Sequence, residues 1–227
     1  MRSTAEQGDS CPRQRRSPEL PALIDGSGIA AVLRRRTAVP VGGLGSGEVS
    51  AGRRLVRARD VHDLPWWIPA GVVWADAEES ARPEHPWSVG LATDRSWSRA
   101  VLTGLSDRLA WEARLAHGRG EQLAAAHGLV ASGGAVVFDG RIGHDVPTVH
   151  IVSDHVERGA AGATMEGAYR RALFGDHGVT DEDVARELAD IQLVLSDAGV
   201  DVAVVDVGTE LLRTAGVARV SVQLMSR

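Results

Sequence analysis

Residues 87–120 read WSVGLATDRSWSRAVLTGLSDRLAWEARLAHGRG, and this stretch decides the fold. Apolar residues recur in it at steps of three and four, which predicts one face of an amphipathic helix of about twenty residues. Asp94 or Ser96 is expected to cap the first turn, and Gly118 and Gly120 to end the helix. A helix longer than the average in globular proteins is expected to cross the whole domain. Its predicted buried stripe is Trp97, Val101, Leu102, Leu105, Leu109 and Ala113.

The remainder of the chain alternates between strand and helix patterns. Apolar runs predict strands at 55–60, 68–74, 134–140, 146–153, 200–207 and 217–224. Helices are expected at 165–174, over a short turn at 208–214, and from a Thr180 cap, supported by Asp183, to Gly199. The buried stripe of that last helix is Val184, Leu188, Ile191 and Leu195. Such a succession implies crossover connections and helices that cover sheet faces, so the predicted class is α/β or α+β with a mixed sheet.

The chain before residue 55 is predicted to be less regular. Residues 1–20 are polar and rich in Arg, Ser and Pro, which indicates a disordered arm. A short ordered element is expected at 23–32. The glycine-rich segment 39–52 lacks the Lys-Ser/Thr of a phosphate-binding loop, which favours a linker.

Charge and cysteine content narrow the class of protein. All 25 basic residues are Arg; residues 1–60 hold 11 of them against 6 acids, and residues 61–227 hold 14 against 24. Phosphate binding needs a positive face, so the acidic body argues against nucleic acid as a partner. The basic arm could contact an acidic peptide or stay solvated. Cys11 is the single cysteine, the N-terminus lacks the apolar core of a signal peptide, and no apolar run is long enough for a membrane span. A cytoplasmic protein without membrane contact is therefore expected.

Two groups of side chains are candidates for chemistry or binding. The densest titratable group is His144, Asp145, His150, Asp154 and His155. These residues could ligate a metal, but polar residues that flank strands explain them too, and our prediction is that there is no metal site. The chain has six tryptophans but only one tyrosine and two phenylalanines. Because indole rings offer a large contact area with a polar group, Trp66, Trp67 and Trp111 are candidates for a surface that binds a peptide or a partner. Core packing of most tryptophans is the alternative. No pattern supports a catalytic nucleophile, so no catalytic residue is assigned.

Five segments resemble, in the same order, the YcaO superfamily, whose members include ATP-dependent cyclodehydratases that make azolines and thioamides on ribosomal peptides. Segment 23–32 is similar to the opening piece of the family, RDVHDLPWWIPAGVVW (59–74) to its strand pair, and WSVGLATDRSWSRAVLTGLSDRLAWEA (87–113) to its central helix. Segments 146–175 and 194–224 are similar to its later strand and helix and to its closing strand–helix–strand. The resemblance implies a YcaO-like fold over most of the chain and a single shortened domain at 21–227.

The departures from the family pattern concern the nucleotide site. The resemblance implies ATP–Mg²⁺ bound by glutamates on helices, because a hard cation on a triphosphate needs an oxygen-rich shell. The first ATP-site helix of the family is missing between residues 39 and 55. In the central helix the family's ExxERD pattern falls on Asp107, Ala110, Trp111 and Glu112. Asp107 and Glu112 are the candidate remnants of the site, and they lie about 140° apart around a helix.

The resemblance therefore implies a non-catalytic accessory subunit in the modification of a ribosomally made peptide, in azole or thiopeptide-type biosynthesis. Such a subunit would bind a cyclodehydratase partner or the precursor peptide, could be oligomeric, and would use no cofactor. One alternative is an active cyclodehydratase that uses ATP and Mg²⁺ in a rebuilt or shared site with Asp107 and Glu112. Another is a fragment that folds poorly and exposes an apolar sheet face.

Overall fold

A long helix, α1 (Trp97–Gly118), is the centre of the molecule. The computed structural model describes residues 24–25, 39–40, 54–60, 65–69, 73, 88–126, 128–129, 135–154 and 156–226. One face of α1 packs on a seven-stranded sheet, and another contacts a three-stranded sheet. The predicted stripe is buried from Val101 to Ala113. Trp97 is an exception, because it stands at the first residue of the helix and is 47% exposed.

The seven-stranded sheet has the order β1-β3-β9-β10-β2, with β4 beside β3 and β5 beside β10. Its strands are β1 (Ile24–Asp25), β2 (Val39–Pro40), β3 (Arg54–Arg59), β4 (Pro65–Pro69), β5 (Leu91–Asp94), β9 (Val200–Asp206) and β10 (Ala218–Ser226). Alternate residues of β9 face opposite sides of the sheet, as the twofold repeat of a strand requires. Val202 and Val204 face α1, whereas Ala203 and Val205 belong to a second apolar cluster with β3 and β4.

The three-stranded sheet consists of β6 (Val136–Asp139), β7 (Thr148–Val152) and β8 (Glu157–Ala161), with β7 in the middle. Helix α2 (Met165–Phe174) covers one face through a cluster that includes Val149, Ile151 and Ala160. The other face meets α1, where the Ser106 hydroxyl accepts a hydrogen bond from the Ala161 N–H at 2.8 Å. Helix α1 thus joins the two sheets.

Two further helices complete the described chain. Helix α3 (Asp181–Asp197) packs beside α1 and on β9, and α4 (Glu210–Thr214) connects β9 to β10. The predicted cap of α3 is confirmed, because the Thr180 hydroxyl accepts from the Asp183 N–H at 3.2 Å. The cap of α1 differs from the prediction. Ser96 is the N-cap residue but makes no side-chain capping bond, and the Asp94 carboxylate accepts from the Ser96 N–H at 2.9 Å.

The predicted α+β class is confirmed. The direction of strand pairing differs from the prediction, which was a mixed sheet. Every strand pair in the described ranges is antiparallel. For β9 and β10, the connection through the short α4 brings the two strands together as an antiparallel pair and not through a parallel crossover. Strand β8 was not predicted; its sequence, ERGAA, shows no apolar alternation. Strand β4 spans Pro65–Pro69, so it begins before the predicted strand 68–74 and includes Trp66 and Trp67.

Several predictions concern residues outside the described ranges. They include the disordered arm at 1–20, most of the element at 23–32 and the absence of a helix after residue 40. Within the predicted linker 39–52, Val39 and Pro40 pair with the end of β10 as a short edge strand. Among the described helices, none combines the length and apolar character that a membrane span needs.

Candidate functional site

An open cleft of about 540 Å³ runs along one side of α1, between β8 and the end of α2 with the residues that follow it; we name it the α1 cleft. It is the place where the central helix meets both the end of β5 and the small sheet. Its charged lining is balanced, with four arginines and four acids, and it also contains one histidine, His177. The charged residues are Arg99, Arg114, Arg158 and Arg171 together with Asp94, Asp107, Glu157 and Asp176.

Asp107 lines this cleft and is held by two groups of the protein. Its Oδ2 accepts a hydrogen bond from the Gly90 N–H at 3.0 Å, and its Oδ1 accepts from Arg114 Nη2 at 2.6 Å. Gly90 has a φ of +79°, and a Cβ on it would lie 2.3 Å from the Val222 carbonyl oxygen. Only glycine fits at that turn, so the N–H that Asp107 receives is fixed by the backbone.

The other three positions of the family's ExxERD pattern, Ala110, Trp111 and Glu112, place no second carboxylate beside Asp107. Ala110 is fully buried beneath β8, where a Cβ on Gly159 would lie 2.8 Å from its own Cβ. Trp111 is half-buried, and the Arg114 guanidinium stands 5.2 Å from the centre of its ring system. Glu112 is half-buried and is absent from the lining of the α1 cleft as far as the chain is described. Asp107 and Glu112 are therefore not brought together, as their helical spacing indicates.

The arginines of the α1 cleft also have partners within the protein. Arg99 donates to the Asp181 carboxylate at 2.6 Å and to the Val179 carbonyl. Arg158 donates to the Leu173 carbonyl at 3.2 Å. The cleft is thus lined by charges that are largely satisfied by neighbouring groups.

Arg171 forms the most buried of these ion pairs. It donates to the Asp176 and Glu187 carboxylates at 2.7 Å each, and Glu187 also accepts from the Ala163 N–H at 3.1 Å. Burial alone would lower the pKa of Arg171, but the hydrogen bonds that it donates to Glu187 and the two negative charges raise it. Burial would likewise raise the pKa of Glu187, and the bond and charge of Arg171 lower it below the ordinary value. The network fixes α2 against α3.

The three candidate tryptophans do not share one surface. Trp66 and Trp67 are neighbours on β4, so their side chains point to opposite faces of the sheet. Trp66 packs against the cluster with Val56 and Ile68, and its Nε1–H donates to the Asp60 carboxylate at 3.0 Å. Trp67 is opposite Arg57 in the register, on the sheet side that faces α1, and both tryptophans are half-buried.

The predicted titratable group is dispersed, and one of its members joins residues that the sequence did not single out. Asp145 and Asp154 are exposed, and His155 is outside the described residues. His144 lies apart; burial lowers its pKa. His150, in the centre of β7, meets His117 from the last turn of α1 and Glu157 from the start of β8.

Spacing along the chain gave no signal for this group. His117 and His150 are 33 positions apart in the sequence, and β8 was not predicted at all. Glu157 stands two residues before Gly159, the register partner of His150, so both side chains share one face of the small sheet. Burial lowers the pKa of His150, and the charge of Glu157 offsets this in part.

Solved structures with a similar fold are YcaO-type proteins. YcaO from Methanopyrus kandleri bound with AMPPCP and Mg²⁺ aligns with a TM-score of 0.57 at 17% identity, over 82% of this chain and 68% of that one. The heterocyclase TruD aligns with a TM-score of 0.52 at 12% identity, over 90% and 39%. A heterocyclase in complex with substrate and cofactor aligns with a TM-score of 0.51 at 13% identity, over 88% of this chain and 36% of that one.

The predicted resemblance to the YcaO superfamily is thus confirmed at the level of the fold. The chain spans little more than a third of the length of the two heterocyclases. No protein-family model matches the sequence, and neither does any curated protein.

Proposed function

We propose that this chain, whose fold is that of YcaO-type proteins, is a non-catalytic accessory subunit in the modification of a ribosomally made peptide. In this role it binds a cyclodehydratase partner or the precursor peptide and does not itself turn over ATP. A single domain over residues 21–227 is part of the proposal, and it is supported by α1, which packs on both sheets. The half-buried tryptophans Trp67 and Trp111 are candidates for the contact surface.

The state of Asp107 is the observation that carries the proposal. A carboxylate that binds Mg²⁺ must offer an oxygen to the ion, and Mg²⁺ demands near-octahedral oxygen geometry. Here one oxygen of Asp107 accepts from Gly90 and the other from Arg114. Ala110, one turn further along α1, has no side-chain oxygen and is covered by β8.

The balance of charge in the α1 cleft gives independent support. A triphosphate is recognised by cations or backbone N–H groups that are free to face it. Arg99, Arg114 and Arg171 each donate to a carboxylate of the protein instead. Binding of a nucleotide would have to break these pairs, and the displaced carboxylates would then repel the phosphates.

Titration calorimetry of the full chain with ATP–Mg²⁺ and with AMPPCP–Mg²⁺ tests the absence of a nucleotide site. YcaO from Methanopyrus kandleri, whose structure contains AMPPCP and Mg²⁺, is the positive control under the same buffer. We expect no saturable heat with this chain at nucleotide concentrations that saturate the control. Micromolar binding by this chain would overturn the proposal.

Reconstitution tests the accessory role. The chain is combined with a full-length cyclodehydratase and a precursor peptide encoded beside it, and ring formation is followed by mass spectrometry as loss of one water per ring. We expect rings only when the full-length enzyme is present, and more of them when this chain is added. Rings formed by this chain alone with ATP would contradict the proposal.

An active cyclodehydratase with a shared site is the second candidate. The α1 cleft favours it, because its volume of about 540 Å³ is in the range of small-molecule sites. A partner would then supply the missing acids next to Asp107. In the same reconstitution, Asp107→Ala would abolish ring formation while the complex still assembles, whereas the accessory role predicts that ring formation persists.

A further inference from the structure

We propose that His117, His150 and Glu157 bind a divalent transition-metal ion of the class that Zn²⁺ represents. The donor atoms of the three side chains all lie within 4.8 Å of one another. His150 Nε2 is 3.3 Å from Glu157 Oε1, and His117 Nδ1 is 4.0 Å from the same oxygen. Neither the fold nor the proposed accessory role requires this site.

The position of His150 is the second observation that points to a ligand. Its side chain is fully buried, and neither of its ring nitrogens has a hydrogen-bond partner. Buried polar nitrogens without partners are rare in folded proteins, and each one calls for an explanation. The Nε2 atom of His150 faces Glu157 and His117. A metal ion bound between the three side chains would accept the lone pair of this nitrogen.

The geometry needs only small changes to accept an ion. Ligands at the usual zinc distances lie about 3.3 Å apart in a tetrahedral site. The His150–Glu157 separation of 3.3 Å already has this value. The two side chains that must approach, His117 and Glu157, are 37% and 47% exposed and free to adjust. His150 is fixed by its strand, and a rigid ligand on a sheet gives the site its position.

The donor set and its surroundings select the metal class. Two imidazoles and one carboxylate suit Zn²⁺ and its borderline neighbours, whereas Mg²⁺ prefers an all-oxygen shell. Three protein ligands leave a fourth position for water.

Glu157 lines the α1 cleft, which provides a route from solvent. Arg114 is the nearby cation, and its guanidinium is directed to Asp107 at 2.6 Å. Phe138 closes the opposite side, with ring centres 5.9 Å from His117 and 6.3 Å from His150.

Metal titration of the full chain tests this site. Zn²⁺ binding is measured by calorimetry, and Co²⁺ is added separately to record the visible absorption of a four-coordinate ion. The variants are His117→Gln and Glu157→Gln, chosen because both residues are partly exposed and their replacement leaves the core intact. The matched controls are His177→Gln and Glu121→Gln, which remove an exposed histidine and an exposed glutamate that are not among the three proposed ligands.

We expect one Zn²⁺ per chain at this site, weakened about tenfold or more by either site variant and unchanged by either control. A large excess of Mg²⁺ is expected not to displace it. The proposal is overturned if no saturable Zn²⁺ binding occurs, if both site variants bind as tightly as the original chain, or if Mg²⁺ competes on equal terms. These readouts do not involve ATP, so they are separate from the test of the accessory role.

Discussion

Asp107 and Arg114 form an ion pair of 2.6 Å across two turns of the central helix, on the side that lines the α1 cleft. The second oxygen of Asp107 holds the Gly90 N–H at 3.0 Å, at the turn that leads into β5. Asp107, which the sequence suggested as a remnant of the nucleotide site, thus connects α1 to the turn before β5. These two contacts give Asp107 a structural role within the protein.

Asp107→Ala is expected to lower the free energy of unfolding by about 1–2 kcal/mol, because it leaves a backbone N–H without its acceptor. Asp107→Asn keeps an oxygen for the Gly90 N–H and is expected to cost less. Equilibrium unfolding in urea measures both. Asp190→Ala, which removes an exposed acid of α3, is the control and is expected to change stability by less than about 0.5 kcal/mol. Equal effects for Asp107→Ala and Asp190→Ala would show that the Gly90 contact contributes nothing.

Ala110→Glu is expected to destabilise the protein rather than restore nucleotide binding. The side chain would enter a fully buried position against Gly159, and an unpaired buried carboxylate is among the costliest substitutions. Thermal unfolding and ATP–Mg²⁺ titration are the measurements. If the Ala110→Glu variant does not fold, Ala110→Val is measured in its place. Overpacking by valine is expected to lower the free energy of unfolding by about 1–3 kcal/mol.

Thr103→Glu is the matched control for Ala110→Glu, since it places the same side chain on the same helix at an exposed position of the α1 cleft. Its stability is expected to fall by less than about 1 kcal/mol, because the contact that Thr103 loses with Asp176 is long, at 3.5 Å, and exposed to solvent. A folded Ala110→Glu variant that binds ATP–Mg²⁺ would contradict the structure's assignment of Ala110 to the interior.

Glu187→Gln is expected to destabilise the protein by about 3 kcal/mol, because it leaves the buried charge of Arg171 without one of its two carboxylates. The control is Glu182→Gln on the same helix, which removes a pair with Arg186 whose glutamate is 87% exposed; little change is expected. Urea unfolding near neutral pH measures both. Similar effects for the two variants would argue against the buried network.

The same glutamate predicts a pH dependence. The ordinary pKa of Glu187 is 4.5 and the folded pKa is lower, so the folded state binds this proton less readily than the unfolded state. Its contribution to stability is complete above about pH 4.5 and is lost as the pH falls through the folded pKa. Glu187→Gln is expected to flatten the stability–pH curve in this acid range. An unchanged curve would mean that Glu187 titrates normally.

Thr180→Ala is expected to lower the free energy of unfolding by about 1 kcal/mol, because the Asp183 N–H loses its acceptor at the start of α3. Thr180→Ser retains the hydroxyl and is expected to recover most of this loss. Hydrogen exchange at the first turn of α3 locates the effect. If serine and alanine are equally destabilising, the hydroxyl does not cap the helix.

The sequence determined most of the local structure. Period-3.6 apolar stripes are sufficient to place α1 and α3, because a helix buries one face whatever it packs against. The Thr180 cap was predictable for the same reason, since its bond lies within four consecutive residues. The resemblance of ordered segments to the YcaO superfamily also held at the level of the fold. Strand β8 was not predicted because its sequence, ERGAA, has no apolar alternation. Pairing with β7 stabilises its extended conformation.

Only the tertiary structure decided which side chains meet. It placed Trp66 and Trp67 on opposite faces of one strand, and it separated Glu112 from the α1 cleft that Asp107 lines. It also brought His117 from the end of a helix to His150 and Glu157 on two strands. Contacts within one element follow from local periodicity, whereas contacts between elements depend on how a helix and two sheets pack, and that arrangement has no period along the chain.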